Sequence, residues 1–153
     1  MLLRTYGPAD HEQIIGLFLL NTPRYFHPQE LQYFRHFLKE NMDTDPYYVL
    51  EENGLVVASG GYYIKNNVGG LSWFMVHPDH HRKGLGSQLA RHHLQILKDS
   101  NLDKIVVDTS QLVYPFYEKF GFVLLGTTLN HWGPGMHLYS MELEPQIIRD
   151  FAD

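Results

Sequence analysis

The chain contains no cysteine. That excludes disulfides, thiolate zinc sites, iron–sulfur clusters and a cysteine nucleophile, and it fits a reducing compartment. Charge is sparse as well. Asp, Glu, Lys and Arg together make up 19% of the residues, with an acidic excess that gives a formal net charge of -5. A surface of that sign is poorly matched to phosphate backbones, so no nucleic-acid partner is expected and a cationic partner is favoured. Long hydrophobic runs are missing too. No stretch approaches the ~20 apolar residues of a membrane span, and Met1-Leu2-Leu3-Arg4-Thr5-Tyr6 breaks into Gly7-Pro8 too early for a signal peptide. The expectation is a soluble, cytoplasmic protein with no membrane partner.

What is present is ordinary globular material, with 44% hydrophobic and 14% aromatic residues in 153 positions. That length favours one domain, with roughly two thirds of the unfolded surface buried. Leu2 to Tyr6 reads as a short strand. Helical spacing of Ile14, Leu17 and Phe18 follows Pro8, and of Leu31, Phe34 and Leu38 follows Pro28. The period then changes. Tyr47 to Glu51, Leu55 to Ile64 and Leu71 to Val76 are strand-like, separated by turns at Asn53-Gly54 and across Asn66-Asn67 and Gly69-Gly70. Gly84 to Lys98 reads as a helix, Ile105-Val106-Val107 as a buried strand and Leu112 to Phe120 as a short helix closed by Gly121. Phe122 to Thr128 and Met136 to Leu143 are two further strands around an Asn130–Gly135 loop longer than a tight hairpin, and 145–153 reads as a tail. The order β-α-α-β-β-β-α-β-α-β-β predicts a mixed α/β sheet.

The stretch Val76-His77-Pro78-Asp79-His80-His81-Arg82-Lys83-Gly84-Leu85-Gly86-Ser87 lies between a strand and a helix. Arg82 and Lys83 put two cations beside a glycine turn, and the N–H groups and dipole at the helix start suit an anion such as a pyrophosphate. The lysine-serine ending of a Walker loop and the third glycine of the dinucleotide fingerprint are both missing. On these residues alone, a phosphate site and a glycine turn with two solvated cations both stand.

At this point the sequence resembles the GNAT acetyltransferase superfamily. His81-Arg82-Lys83-Gly84-Leu85-Gly86 is similar to the family's Gln/Arg-x-x-Gly-x-Gly/Ala block, with His81 departing at the first position. Phe116-Tyr117-Glu118-Lys119-Phe120-Gly121-Phe122 is similar to its Leu-Tyr-Glu-Lys-x-Gly-Phe block, with Ser110 where an Asn often precedes the tyrosine by seven positions. Element order matches from Leu3 to about Leu143. The resemblance implies a single domain over residues 1–153, built on a mostly antiparallel sheet of about seven strands splayed in the middle and flanked by about four helices. It implies acetyl-CoA, or another acyl-CoA, as donor and an amine on a small molecule or peptide as acceptor, with a homodimer as a reasonable assembly. The pyrophosphate is then expected on the N–H groups of Arg82 to Ser87, with Arg82 and Lys83 reaching CoA phosphates. The pantetheine arm is expected on the backbone of Phe74, Met75 and Val76. Ser110 and Tyr114 fall beside the cofactor.

The same resemblance makes Tyr117 the general acid that protonates the departing thiolate, a role its ordinary pKa near 10 allows. On the bare residues, Phe116, Tyr117 and Phe120 equally read as packing of helix on sheet. Leu71 to Val76 contains no carboxylate to serve as base, which leaves Asp108, His77 and Ser72 as water-positioning candidates. Tyr25, Phe26, His27, Trp132 and His137 are candidate acceptor walls by cation–π contact. Adjacent histidines, as in His80-His81 and His92-His93, diverge on a helix and make poor metal-ligand geometry, so no metal is expected. The missing carboxylate and the departures at His81 and Ser110 keep a non-catalytic acyl-CoA-binding module as the competing reading.

Overall fold

In the computed structural model, which describes residues 1–41 and 43–149, the elements follow in the expected order. They are β1 (Leu2–Thr5), α1 (His11–Leu20), α2 (Leu31–Glu40), β2 (Tyr47–Glu52), β3 (Leu55–Lys65), β4 (Val68–Val76), α3 (Leu85–Lys98), β5 (Lys104–Thr109), α4 (Tyr114–Glu118), β6 (Val123–Gly133) and β7 (Met136–Leu143). The strands form one seven-stranded sheet in the order β1-β2-β3-β4-β5-β7-β6. Every neighbouring pair is antiparallel except β4–β5. Alternation along β3 sends Val56 toward Ile14, Phe18 and Phe34 of α1 and α2, and Val57 toward Leu85 and Leu89 of α3. Helices therefore cover both faces.

Three boundaries differ from the sequence-based expectation. Gly69 and Gly70 belong to β4 and not to the preceding turn, because Asn66 and Asn67 alone supply the two positive φ angles of a two-residue hairpin. The ring of Tyr63 lies across Gly70, where a side chain would collide with it. The helix expected from Leu112 begins only at Tyr114. Ser110 first closes a turn, its Oγ accepting the Leu112 N–H at 3.2 Å and its carbonyl accepting the Tyr114 N–H at 3.0 Å. The expected Asn130–Gly135 loop is instead an irregular extension of β6, which runs to Gly133 with a register shift between Thr128 and Gly133. Asn130 makes this possible: it takes φ 57, gives its N–H to His137 Nδ1 at 2.9 Å and accepts the Gly135 N–H at 2.7 Å. Residues 150–153 of the expected tail lie outside the described residues.

The feature that positions the site is a break in the central strands. Gly61 pairs with Ser72 and Ser59 with Met75, so Gly60 alone opposes both Trp73 and Phe74. This is a β-bulge, and Trp73 adopts φ 52 within it. A left-handed tryptophan costs about 1–2 kcal/mol, and the surroundings offset that cost. Tyr47 accepts from the Ser59 hydroxyl at 2.9 Å and donates its own to the Trp73 carbonyl at 2.8 Å. The Trp73 ring packs on Phe26, Phe34 and Phe37. On the other face, buried His93 donates Nε2–H to the Gly60 carbonyl at 2.9 Å and stands edge-on to Phe74. That bond fixes the tautomer, so His93 Nδ1 accepts from His92 at 2.9 Å. Beyond the bulge β4 leaves its neighbour: β4 and β5 pair only from Val68↔Lys104 to Gly70↔Val106.

Two predictions follow from this region. A Cβ on Gly60 would stand 2.6 Å from the Phe74 ring. Gly60→Ala is therefore expected to cost about 1–3 kcal/mol by urea denaturation, the usual range for overpacking. Burial also pushes the His93 pKa down from 6.5 to about 4. The unfolded chain then binds the extra proton first. The stabilisation from neutral His93 is complete above pH 6.5 and is lost as pH falls through about 4, amounting to about 3 kcal/mol in all. The stability gap between the wild type and His93→Gln is expected to narrow by about 2–3 kcal/mol between pH 7 and pH 4.5. Comparing the two proteins cancels other titrating groups.

Candidate functional site

Where β4 and β5 part, a cleft of ≈ 770 Å³ opens. Its floor is β4 from Leu71 to Val76 and its far wall runs from Val107 to Ser110. The loop before α3 and the residues Phe116, Tyr117 and Lys119 close one end. Phe26 and Glu30, from the α1–α2 segment, and Trp132 of the β6–β7 hairpin line the other, while Asn21 and Tyr25 of the same segment reach the Val76 carbonyl and the His81 ring.

The first end is built to hold an anion. Arg82 and Gly84 take φ 65 and 78, turning the backbone twice just before α3. The first intrahelical bond is Gln88 N–H to Gly84 C=O, so the N–H groups of Leu85, Gly86 and Ser87 have no partner within the helix. They point, with the positive end of the helix dipole, at the cleft. Lys119 donates to Ser87 Oγ and adds its ammonium there, 4.9 Å from the Phe116 ring centroid. His81, the family departure, folds back and donates Nε2–H to the Val76 carbonyl at 2.8 Å, while Asn21 donates to the same oxygen at 3.1 Å. The loop is thereby tied to the end of β4. His77 N–H bonds to Val57 C=O at 2.8 Å. By ladder alternation, Val76 is then a non-bonded pair with Ala58, and its N–H faces the cleft, whereas Met75 turns its polar groups toward Ser59.

Tyr117 lines the same cleft. Its side chain is buried, edge-on to Phe74, with no hydrogen-bond partner for its hydroxyl among the described residues. Burial raises its pKa above the usual phenol value, so it holds its proton throughout the neutral range.

Several expected residues lie elsewhere. Tyr114 is outside the cleft lining, because as the first residue of α4 it stacks on Tyr139 of β7 with centroids 4.9 Å apart. Lys83 is exposed and also outside the lining, since the left-handed turn at Arg82 presents Arg82 and not its neighbour. His77 is spent as a cap, its Nδ1 accepting the Asp79 N–H. His27 and His137 are not walls either. His27 caps the Pro28 turn through the Gln29 N–H, its ring against Gly133, and His137 holds Asn130. Asp108 lines the cleft but is exposed and caps no helix. Ser72 lines it with a buried Oγ lacking any partner among the described residues.

Glu30 was missed in the sequence. It is 5% exposed, lines the cleft and has no ion-pair partner among the described residues. Its Oε2 accepts the His27 N–H at 2.8 Å. The available signal was the His27-Pro28-Gln29-Glu30 spacing, which reads as a reciprocal cap and hides a carboxylate whose second oxygen is free. Burial pushes its pKa up to about 7.

Residues 12–122 match the model of the Acetyltransferase (GNAT) family. The chain belongs to that family. An amino-acid acetyltransferase of Buchnera aphidicola subsp. Acyrthosiphon pisum is 29% identical over 86 residues, 55% of this chain and 19% of that protein. The corresponding enzyme of subsp. Schizaphis graminum is 31% identical over the same length. The chain thus spans about a fifth of the length of the curated relatives it matches. Among solved structures, a ribosomal-protein-alanine N-acetyltransferase from Brucella melitensis superposes with TM-score 0.75 at 17% identity, covering 94% of this chain and 99% of that one. An aminoglycoside 6'-N-acetyltransferase complexed with coenzyme A does so with TM-score 0.74 at 13% identity, covering 95% and 97%. These likenesses establish the fold, including its splayed seven-stranded sheet.

A raised carboxyl pKa carries a stability sign opposite to that of His93. Protonated Glu30 is favoured in the fold, so its contribution is complete below about pH 4.5 and is lost as pH rises through about 7. Glu30→Gln keeps the His27 bond and removes the ionisation. It is expected to be more stable than the wild type at pH 8 by about 2–3 kcal/mol and equal to it at pH 4.5, read from thermal unfolding at both.

Proposed function

We propose that this chain is an acyl-CoA-dependent N-acetyltransferase that transfers the acetyl group of acetyl-CoA directly to a primary amine within a ternary complex. The observation that carries this reading is the Tyr117 hydroxyl, unpartnered and kept protonated, held between an anion-binding helix start and the edge of a broken strand pair. Family membership supports acetyl transfer, and the absence of cysteine supports direct attack over a covalent protein intermediate.

The residues present fit a CoA thioester. The N–H groups of Leu85, Gly86 and Ser87, with Arg82 and Lys119, suit the pyrophosphate. The cleft-facing N–H of Val76 suits the amide-bearing arm. When bound, acetyl-CoA supplies an activated acyl carbon and a sulfur leaving group. Backbone N–H groups of β4 near Phe74 stabilise charge developing on the carbonyl oxygen. Tyr117 gives its proton to the sulfur as the carbon–sulfur bond breaks. The family model and the flanking strands together support reading 1–153 as one catalytic domain, and a cytoplasmic setting suits a cysteine-free chain.

Tyr117→Phe keeps the packing against Phe74 and Phe122. With acetyl-CoA and a panel of primary amines, thiol release by this variant is expected to fall about 100-fold in kcat with CoA affinity unchanged. Equal turnover in both proteins would remove Tyr117 from the chemistry. Tight CoA binding with no turnover in the wild type would leave a binding module.

A further inference from the structure

The amine-receiving end of the cleft differs in charge from the donor end. Arg82, Lys119, His80 and His81 all sit toward the loop before α3. On the α1–α2 side the lining consists of Phe26, Trp73 and Trp132 around Glu30, with Tyr25 standing edge-on to His81 at 5.4 Å between ring centroids, exposed Asp108 on the far wall and, among the described residues, no lysine or arginine. Arg24 is nearby, lying over the Tyr25 ring at 5.2 Å, but it is exposed and does not line the cleft.

Resting on the transferase reading above, we infer that Glu30 and its aromatic neighbours form a cation-recognising cup, that Glu30 takes the proton of the incoming ammonium, and that the acceptor is a primary amine on an aromatic or apolar body with no carboxylate beside the reacting nitrogen. A buried carboxylate without a cation is costly to keep. Glu30 is such a group, and its orientation is fixed: the His27 N–H holds Oε2 and leaves the other oxygen free. Trp132, pinned by its Nε1–H to the Thr109 carbonyl at 3.0 Å, closes the roof. Trp73 is locked by the bulge. Rigid aromatic faces around one carboxylate are the chemistry that holds an alkylammonium. A substrate carboxylate at this end would instead meet Glu30 and Asp108 with no cation to pair it. The curated relatives are named for amino-acid acceptors. The cup of this chain is built against that charge.

The titratable and charged groups facing this cleft besides Glu30 are Tyr25 before its turn, Tyr63 on β3, Asp108 on β5, Tyr117 on α4, Lys119 after it, and His80, His81 and Arg82 of the loop before α3, with His27 bonded to Glu30 on its own turn. Proton balance closes within the site. The ammonium gives one proton to Glu30, the nitrogen–carbon bond forms and the carbon–sulfur bond breaks. Tyr117 protonates the sulfur and recovers a proton from the nitrogen, and Glu30 passes its proton to solvent.

The test uses the full chain saturated with CoA, titrated calorimetrically with 2-phenylethylamine, with phenylalanine and with glutamate. The wild type is expected to bind the amine at least 30-fold more tightly than either amino acid, and Glu30→Gln is expected to lose at least 10-fold for the amine alone. In turnover, the rising limb of kcat/KM near pH 7 is expected in the wild type and absent in Glu30→Gln, a difference that a purely structural role would not produce. Failure of the amine to bind, equal or tighter binding of an amino acid, or an unchanged Glu30→Gln variant would each overturn the inference. Binding as expected without thiol release from acetyl-CoA would support the cup and bring down the transferase reading instead.

Discussion

The site depends on one mismatch in strand register. Gly60 opposes two residues of β4, and everything functional lies on the far side of that point. A regular ladder would carry β4 straight alongside β5 and close the sheet. The bulge bends β4 away, so that the parallel pairing stops at Gly70 and Val106 and backbone polar groups of both strands are left facing a cleft. The bulge is held from both faces. Tyr47 grips the Trp73 carbonyl from one side and His93 grips the Gly60 carbonyl from the other. Both groups are buried and neutral, so the clamp involves no buried charge. Its cost is instead the backbone strain at Trp73, which the aromatic cluster of Phe26, Phe34 and Phe37 offsets by packing.

The same distortion sorts the chemistry along the cleft. Trp73 and Phe74 are neighbours, yet the bulge sends the Trp73 ring into the α1–α2 side and the Phe74 ring toward α3 and Tyr117. One end of the cleft is therefore bounded by a helix start, with its orphan N–H groups and adjacent cations. The other is bounded by aromatic rings and a single buried carboxylate. The two sides of the cleft therefore differ in charge. Where those groups are buried, as Glu30 is, their fields are less screened than they would be at the surface.

Much of this was legible in the sequence where the signal is local. Asn53-Gly54 and Asn66-Asn67 carry their turn chemistry in adjacent residues, and the glycine-rich loop and the Tyr117 block each lie within one short segment. Element order followed from the change of hydrophobic period. Features that depend on pairing between distant segments were not legible. Nothing in Leu71 to Val76 announces that Trp73 will adopt a positive φ, because the cause is the register of β3. The roles of His27 and His77 as caps, and of His137 as an anchor for Asn130, depend on backbone N–H groups whose positions only the fold supplies. Tyr114 and Tyr117 look equivalent at helical spacing. The turn at Ser110 delays the helix and leaves the first against β7 and the second in the cleft.

Glu30 is the clearest case of this limit, a buried carboxylate that lines the cleft from outside β4. The floor of the cleft is occupied by Trp73 and Phe74, whose rings pack into opposite sides of the sheet, and a carboxylate in either place would cost the bulge its packing. A carboxylate carried on the Pro28 turn avoids that conflict. It reaches the cleft from the α1–α2 segment, is oriented by the backbone N–H of His27 three residues back on its own turn and stays buried. The glycine-rich loop and the Pro28 turn are thus separate pieces of chain, joined through Asn21, whose amide bonds both the Leu17 carbonyl of α1 and the Val76 carbonyl of β4. Under the acceptor role we propose for the turn, substitutions on it are expected to act on the amine and to spare the glycine-rich loop, to which it is tied through the Asn21 amide and the Tyr25–His81 ring contact.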